Sequence, residues 1–460
     1  MKKTTAKILA GILAAASVAS FASCGDTGSG AGTNEETTTT TAKTEWTGDN
    51  VEVTVDESSL NTDIDISGKT LKWLSFYDLN PTNDEPERST EVTIFEDTYG
   101  AKIEWIPTTS STEFDDLATA ILGGTPPDIF RYTARVFPYD ISQNRFQAID
   151  SLVDWSDPMW AEMKDTADNF IWNGEHYVAP LSYKFNDFVI LMYNQTRVEE
   201  EGLDDPYELY LEGKWDWNAF TNMMKTYVDN GTDRYGICGY WEDSFVYTSG
   251  DTLVTYDGSK FTNNLYSNKI ERAMSVLEDL KANELVKAGW YQGDVFDNGG
   301  ETLFYGMGTW AYNAVADAYP GDVIQIVPFP RDPEQNEYFM AKEFNAYMWV
   351  KGSENNDVVK VWFDVNRLVN YDPQYTDVTK AKYLQNGWPE DQYDLVTTFF
   401  DDDKFHYAFD VGYGISPAMA GDSGYIRRLY VGLKDGYFET WVQGREEHMN
   451  IIDSELSVYN

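Results

Sequence analysis

The sequence predicts an α/β protein long enough for two domains. The body from about Ser67 to Asn460 exceeds the size at which a single hydrophobic core stops growing. Its N-terminal part alternates strand-like and helix-like segments, the order that yields a parallel sheet with right-handed crossovers. Amphipathic helices and strand-like runs continue after it, without internal repeats.

The first strand is "GKTLKWLSFYDLN" (Gly68–Asn80), which alternates, is rich in strand formers and runs into a polar loop. "STEVTIFEDTYGAKIEWIP" gives a short helix stopped by Gly100, then a strand over Ala101–Ile106. "STEFDDLATAILGG" sets Phe114, Leu117, Ala118, Ile121 and Leu122 at helical spacing and stops at Gly123–Gly124, and "PDIFRY" is the next strand. "WDWNAFTNMMKTYVDN", "NKIERAMSVLEDLKANELV" and "SENNDVVKVWFDVNRLV" are amphipathic helices with polar starts. "ETLFYGMGTWAYNAV" and "VIQIVPFP" read as strands or strand edges.

Several chemistries fail on inspection. Gly123–Gly124 follow a helix and precede a strand, and Pro126–Pro127 remove two N–H donors. No Lys-Ser/Thr follows, so the stretch is no phosphate loop. "GDSG" (Gly421–Gly424) is similar to a serine-protease nucleophile segment. With only His176, His406 and His448 in the chain, a surface turn is the better reading. "FDDDK" (Phe400–Lys404) lacks calcium-loop spacing and reads as a solvated turn. No clustered His/Cys set offers zinc ligands, and neither a metal nor a cofactor is expected.

Residues 1–23 begin with Lys2, Lys3 and Lys7 and continue in an apolar run that ends in small residues. They read as a secretory signal, too short to span a bilayer stably. The following "FASC" resembles a bacterial lipobox, which makes Cys24 the expected lipidated first residue. Cys238 is then a lone thiol, expected to be buried. Residues 24–66 start as a Gly/Ser/Thr tract and read as a flexible tether. The chain holds 34 Lys+Arg against 77 Asp+Glu, a net charge of −43 that disfavours nucleic acid and anionic headgroups as partners. Aromatics make up 15% of it, with 15 Trp and 31 Tyr, more than a core of this size normally uses, so some rings are candidates for a binding surface.

Six segments recur in a fixed order: "FEDTYGAKIEWIP", "DDLATAILGGTPPDIF", "NGEHYVAPLSYKFNDFVILMYNQTRVEEEGL", "GKWDWNAF", "LFYGMGTWAYN" and "IVPFP". Together they resemble the extracellular solute-binding proteins of bacterial ABC importers, the sugar-binding family that includes maltose-binding protein. The "LFYGMGTWAYN" segment departs from that family's usual pattern. The resemblance implies a type II periplasmic-binding-protein fold of two α/β lobes joined by strand crossovers, with ligand in the cleft. It places residues 68–182 and 324–370 in the first lobe and 186–323 and 371–460 in the second. It also implies a non-enzymatic, monomeric receptor at the outer face of the cell membrane, anchored through lipid alone. Such a receptor takes a carbohydrate, in expectation an oligosaccharide, and hands it to permease subunits.

Ligands of open α/β sheets sit outside the carboxyl ends of strands. The residues at those positions are Tyr77, Asp78 and Asn80, then Arg131, Tyr132 and Arg135. Tyr183, Lys184, Asn186 and Asp187 lie at the crossover, Tyr240, Trp241 and Glu242 follow "RYGIC", and Tyr312 and Asn313 follow another strand-like run. Glu343 and Asn345 precede "AYMWV". Rings would cover the C–H faces of a sugar while Asp, Glu, Asn and Arg satisfy its hydroxyls. Trp310 is expected in the core, Trp215 and Trp217 as packing or capping residues at a helix start, and His176 as structural. Two other readings stay open: the same fold binding a peptide or other non-sugar solute, or a surface-attached enzyme acting on glycans through paired acids.

Overall fold

The computed structural model describes residues 60–460 apart from 61–62, 83–87, 290–292, 402, 422 and 435–437, together with Ile8–Leu9 and Glu52–Val53. Cys24, most of the expected signal and most of the expected tether lie outside the described residues. Nine strands build two central sheets: β1 (Thr70–Ser75), β2 (Lys102–Pro107), β3 (Ile129–Arg131), β4 (Ala179–Tyr183), β5 (Val189–Asn194), β6 (Arg234–Gly239), β7 (Glu301–Gly308), β8 (Ile324–Val327) and β9 (Phe344–Trp349). The first sheet has the order β2-β1-β3-β9-β4 and the second the order β6-β7-β5-β8.

The expected parallel core is present, with β1 parallel to β2 and β3, and β6 parallel to β7. Each sheet then takes in antiparallel strands, β9 between β3 and β4 in the first and β5 between β7 and β8 in the second. Ile324–Val327 was expected to open the return to the first lobe. It pairs instead with β5 in the second sheet, so the return crossover falls after Val327.

Helices cover the sheets as the apolar spacing requires. α1 (Glu113–Leu122) packs on β1 through Phe114 and Leu117. α2 (Trp217–Asp229) is capped by Asp216, whose carboxylate accepts from the N–H groups of Asn218 and Ala219, and it lays Phe220, Met224 and Tyr227 toward β6. α3 (Asn356–Val369) covers β1 and β4 with Val358, Val361, Trp362 and Val365. Asp128, at the entry to β3, ties the first lobe together. Its carboxylate accepts from the Lys72 N–H at 2.8 Å, the Ser353 hydroxyl at 2.6 Å and the Asn355 amide at 3.1 Å. Cys238 is buried in β6, as expected of a structural thiol, and Trp215 and Trp217 are buried at the start of α2.

The lobes also meet along an aromatic seam. Phe137 lies 5.3 Å from Tyr256, Phe170 lies 4.7 Å from Phe409, and Trp172 lies 6.0 Å from Tyr459. Where the segments Ala134–Phe137 and Val411–Gly414 touch, Gly414 is obligatory. A Cβ there would sit 1.7 Å from the Phe137 carbonyl oxygen and 2.6 Å from that of Ala134. Part of the aromatic content thus joins the halves.

His176 is structural as expected, on a hairpin whose turn is Asn173–Gly174. Its Nδ1 lies 2.6 Å from Asp150 and its Nε2 2.9 Å from Asp168, and Trp155 packs on the ring. Burial would raise both carboxyls. Hydrogen bonds from His176 and Trp155 to Asp150, and from Lys164 and His176 to Asp168, outweigh it and hold both below the ordinary value. A depressed acid stabilises the fold above its unfolded pKa. That contribution is therefore intact above about pH 4 and is lost as pH falls through the depressed values. Acid titration followed by circular dichroism should show a shallower loss in His176→Gln; an unchanged slope would refute the role.

Candidate functional site

The site is built from the carboxyl ends of parallel strands in both sheets. Four large rings stand open to solvent there: Phe76 at 43% and Tyr77 at 40% exposure after β1, Tyr240 at 39% after β6, and Trp310 at 43% beyond β7. Trp310 was expected in the core. The strand stops at Gly308 and a short 3-10 turn over Thr309–Ala311 carries the ring outward. The Trp310 N–H donates to the Asn186 carbonyl at 3.0 Å, which sets this ring beside the crossover.

The first lobe supplies a wall from β1, β3, β4 and β9. Tyr132 stacks on Phe344 at 4.7 Å, and its hydroxyl is buried without a hydrogen-bond partner among the described residues. Burial, then the Glu343 carboxylate, push that hydroxyl well above its ordinary pKa. Tyr183 donates to or accepts from Thr166 at 2.8 Å and stacks on Phe400. Although part of the Tyr77 ring is open, its crowded surroundings desolvate the hydroxyl and push it up to about 12, with Arg131 acting against this and Glu113 with it. Asn345 is exposed and its amide donates to Ser182 at 3.3 Å.

The second lobe adds groups that the strand-end rule did not single out. Asp243 accepts from Arg427 at 2.5 Å, and the guanidinium lies 5.8 Å from the Tyr240 ring. The pKa of Arg427 is raised, chiefly by Asp243. Tyr407 is coupled electrostatically to Tyr132, Glu343 and Tyr183 across the lobes. Glu343 is itself coupled to Lys184, Asp187 and Asp243. Tyr132, Tyr183, Lys184, Asp187 and Glu343, with Asp243 and Tyr407, thus lie close enough to act on one another electrostatically.

Other expected contacts go elsewhere. Trp241 is buried, with its Cβ against Gly306, where any side chain would come within 2.5 Å of it. Tyr312 is buried on a helix, stacked on Trp388, and donates to the Ile324 carbonyl at 3.0 Å. Asn313 donates to the Asn386 carbonyl. These three are framework in this conformation because a position after a strand does not fix the direction of its side chain. Glu242 is also buried and accepts from the Trp241 N–H. Arg131 is held by Glu113 at 3.0 Å and Arg135 by Asp140 at 3.7 Å, each over an aromatic ring. Asp78 accepts from the backbone and amide N–H groups of Asn80, an Asx turn over β2. Asn186 accepts from the Tyr383 hydroxyl at 3.1 Å. Among the described residues no group of three His, Cys, Asp or Glu is placed to hold a metal.

Solved structures share this architecture. A solute-binding protein of Thermotoga lettingae, bound with α-D-tagatose, is 19% identical, with TM-score 0.53, covering 84% of this chain and 99% of its own. The cyclic α-maltosyl-1,6-maltose-binding protein of Arthrobacter globiformis is 15% identical, with TM-score 0.58, covering 84% and 98%. UgpB of Mycobacterium tuberculosis, in complex with glycerophosphocholine, is 15% identical, with TM-score 0.57, covering 85% and 100%. Among curated proteins none matches the chain. The fold is the two-lobed type II periplasmic-binding-protein fold. Residues 84–365, more than half of the chain, match the family profile, and the chain belongs to the bacterial extracellular solute-binding proteins.

Proposed function

We propose that the protein is a lipid-anchored receptor that captures a carbohydrate between its lobes and delivers it to the permease of an ABC importer. The observation that carries this reading is the set of open rings at strand ends in both lobes, Phe76 and Tyr77 after β1, Tyr240 after β6 and Trp310 beyond β7. Rings flanked by carboxylates and amides suit the C–H faces and outward hydroxyls of a sugar. The tagatose and cyclic maltosyl-maltose complexes of the structural relatives support the same ligand class. Ligand touching both lobes favours the closed state by its differential affinity, and the role is binding rather than bond chemistry.

Calorimetry against mono- and oligosaccharides tests the reading. Binding of a peptide or a glycerophosphodiester with no response to any glycan would overturn it. Trp310→Ala should weaken the best glycan about tenfold or more while changing stability little, since the ring is exposed. An unaltered affinity would remove Trp310 from the site. Anchoring is read through Cys24: Cys24→Ser should move the protein from the membrane fraction to the medium. Continued retention in detergent-soluble membranes would refute lipidation.

A further inference from the structure

We propose that Glu343 sorts ligands by charge, favouring glycans that bring an amine over neutral ones, and neutral ones over acidic ones. The inference rests on the cleft reading above and adds to it a specificity-determining residue. Its basis is how the cations around that space are paired. Lys184 is held by Asp187 at 3.3 Å and Arg427 by Asp243 at 2.5 Å. Arg131 and Arg135 are held by Glu113 and Asp140. Lys342 is buried, with its ammonium directed at the Phe400 carbonyl and 5.1 Å from the Tyr183 ring. Each cation already has a partner, so an incoming anion would have to break an existing pair.

Glu343 is different. It lies at the start of β9 with its side chain exposed, and makes no hydrogen bond or ion pair with the described residues; only its carbonyl is used, accepting from the Lys184 N–H at 2.7 Å. Lys184, Asp187 and Asp243 act on it through space, and the hydroxyls of Tyr132 and Tyr407 feel its charge. With Asp187 and Asp243 paired to their own cations and Glu242 buried against the Trp241 N–H, the exposed carboxylate left is Glu343, acting on a buried Tyr132 hydroxyl that has no partner among the described residues. A ligand ammonium would complete it with a charge-assisted hydrogen bond, a neutral hydroxyl would do so more weakly, and a carboxylate or sulfate would be repelled.

The test compares analogues of one backbone. The best-binding neutral oligosaccharide from a panel of α- and β-linked hexose oligomers is taken with its amino and its 6-carboxylate forms, and the three are titrated calorimetrically at pH 7. Wild type should bind the amino form about tenfold more tightly than the neutral form, and the acidic form about tenfold less tightly. Glu343→Gln, in an exposed side chain without partners, should keep its melting temperature and compress the whole span to within about threefold. An acidic form bound as well as the neutral one, or an unchanged ranking in the variant, would overturn the assignment. Failure of every panel member to bind would instead sink the carbohydrate reading, and this inference with it.

Discussion

Asp410→Ala should cost about 4 kcal/mol or more of stability, the largest loss expected from any single substitution in the second lobe. The Asp410 carboxylate is buried and accepts from the N–H groups of Leu253 at 3.2 Å, Val254 at 3.1 Å and Gly412 at 2.8 Å, and from the Tyr430 hydroxyl at 2.6 Å. Truncation leaves the Val254 and Gly412 N–H groups and the Tyr430 hydroxyl without that acceptor in a dry interior, each costing roughly 1–3 kcal/mol, while the Leu253 N–H keeps the Tyr430 hydroxyl at 3.0 Å. Asp410 also anchors the segment carrying Tyr407, Phe409 and Tyr413, so ligand affinity should fall with stability. Urea denaturation with Asp410→Asn as the milder comparison checks this. A midpoint for Asp410→Ala close to wild type would show that the network is dispensable.

Gly414→Ala should drive the lobes apart at the seam. The added Cβ would meet two backbone oxygens, and backbone cannot rotate away as the end of a long side chain can. Overpacking of this kind costs roughly 1–3 kcal/mol, and here the relief comes from displacing Val411–Gly414 from Ala134–Phe137. The ladders inside each sheet are untouched, so far-UV circular dichroism should be preserved. The radius of gyration by small-angle scattering should rise, and ligand affinity should drop at least tenfold. A variant with wild-type scattering and affinity would show that the seam tolerates the methyl.

Much of the first lobe was legible because its signals are local. Gly100 and the helical spacing of Phe114 and Leu117 place β2, α1 and β3 within a residue or two, while β1 starts as read and stops at Ser75, well before Asn80. "LGGTPPDIF" was rightly a helix stop and strand start, and its acid proved to be the clamp joining Lys72, Ser353 and Asn355. The site was legible only as a set of positions. Tyr77, Tyr132 and Tyr240 do follow strands, yet Trp241 and Tyr312 were picked by the same rule and are buried in the framework. Trp310 was misread because "LFYGMGTW" looks like one run, whereas its backbone turns after Gly308. Asp243, Tyr407 and Arg427 carry no local signal, since folding alone brings them beside their partners from distant parts of the chain. The sheet membership of Ile324–Val327 was hidden for the same reason: the strand is obvious and its partner is not.

The aromatic seam also bears on how the molecule comes apart. One continuous apolar cluster contains Phe130, Phe137 and Phe170 from the first lobe and Phe220, Ile237, Val254 and Tyr430 from the second. Each half also has a cluster of its own, but this shared one would be cut open by separating them, and the chain passes between the sheets more than once. Calorimetric melting should therefore give one cooperative endotherm rather than two. A fragment cut to a single lobe would present its half of the cluster to water and aggregate.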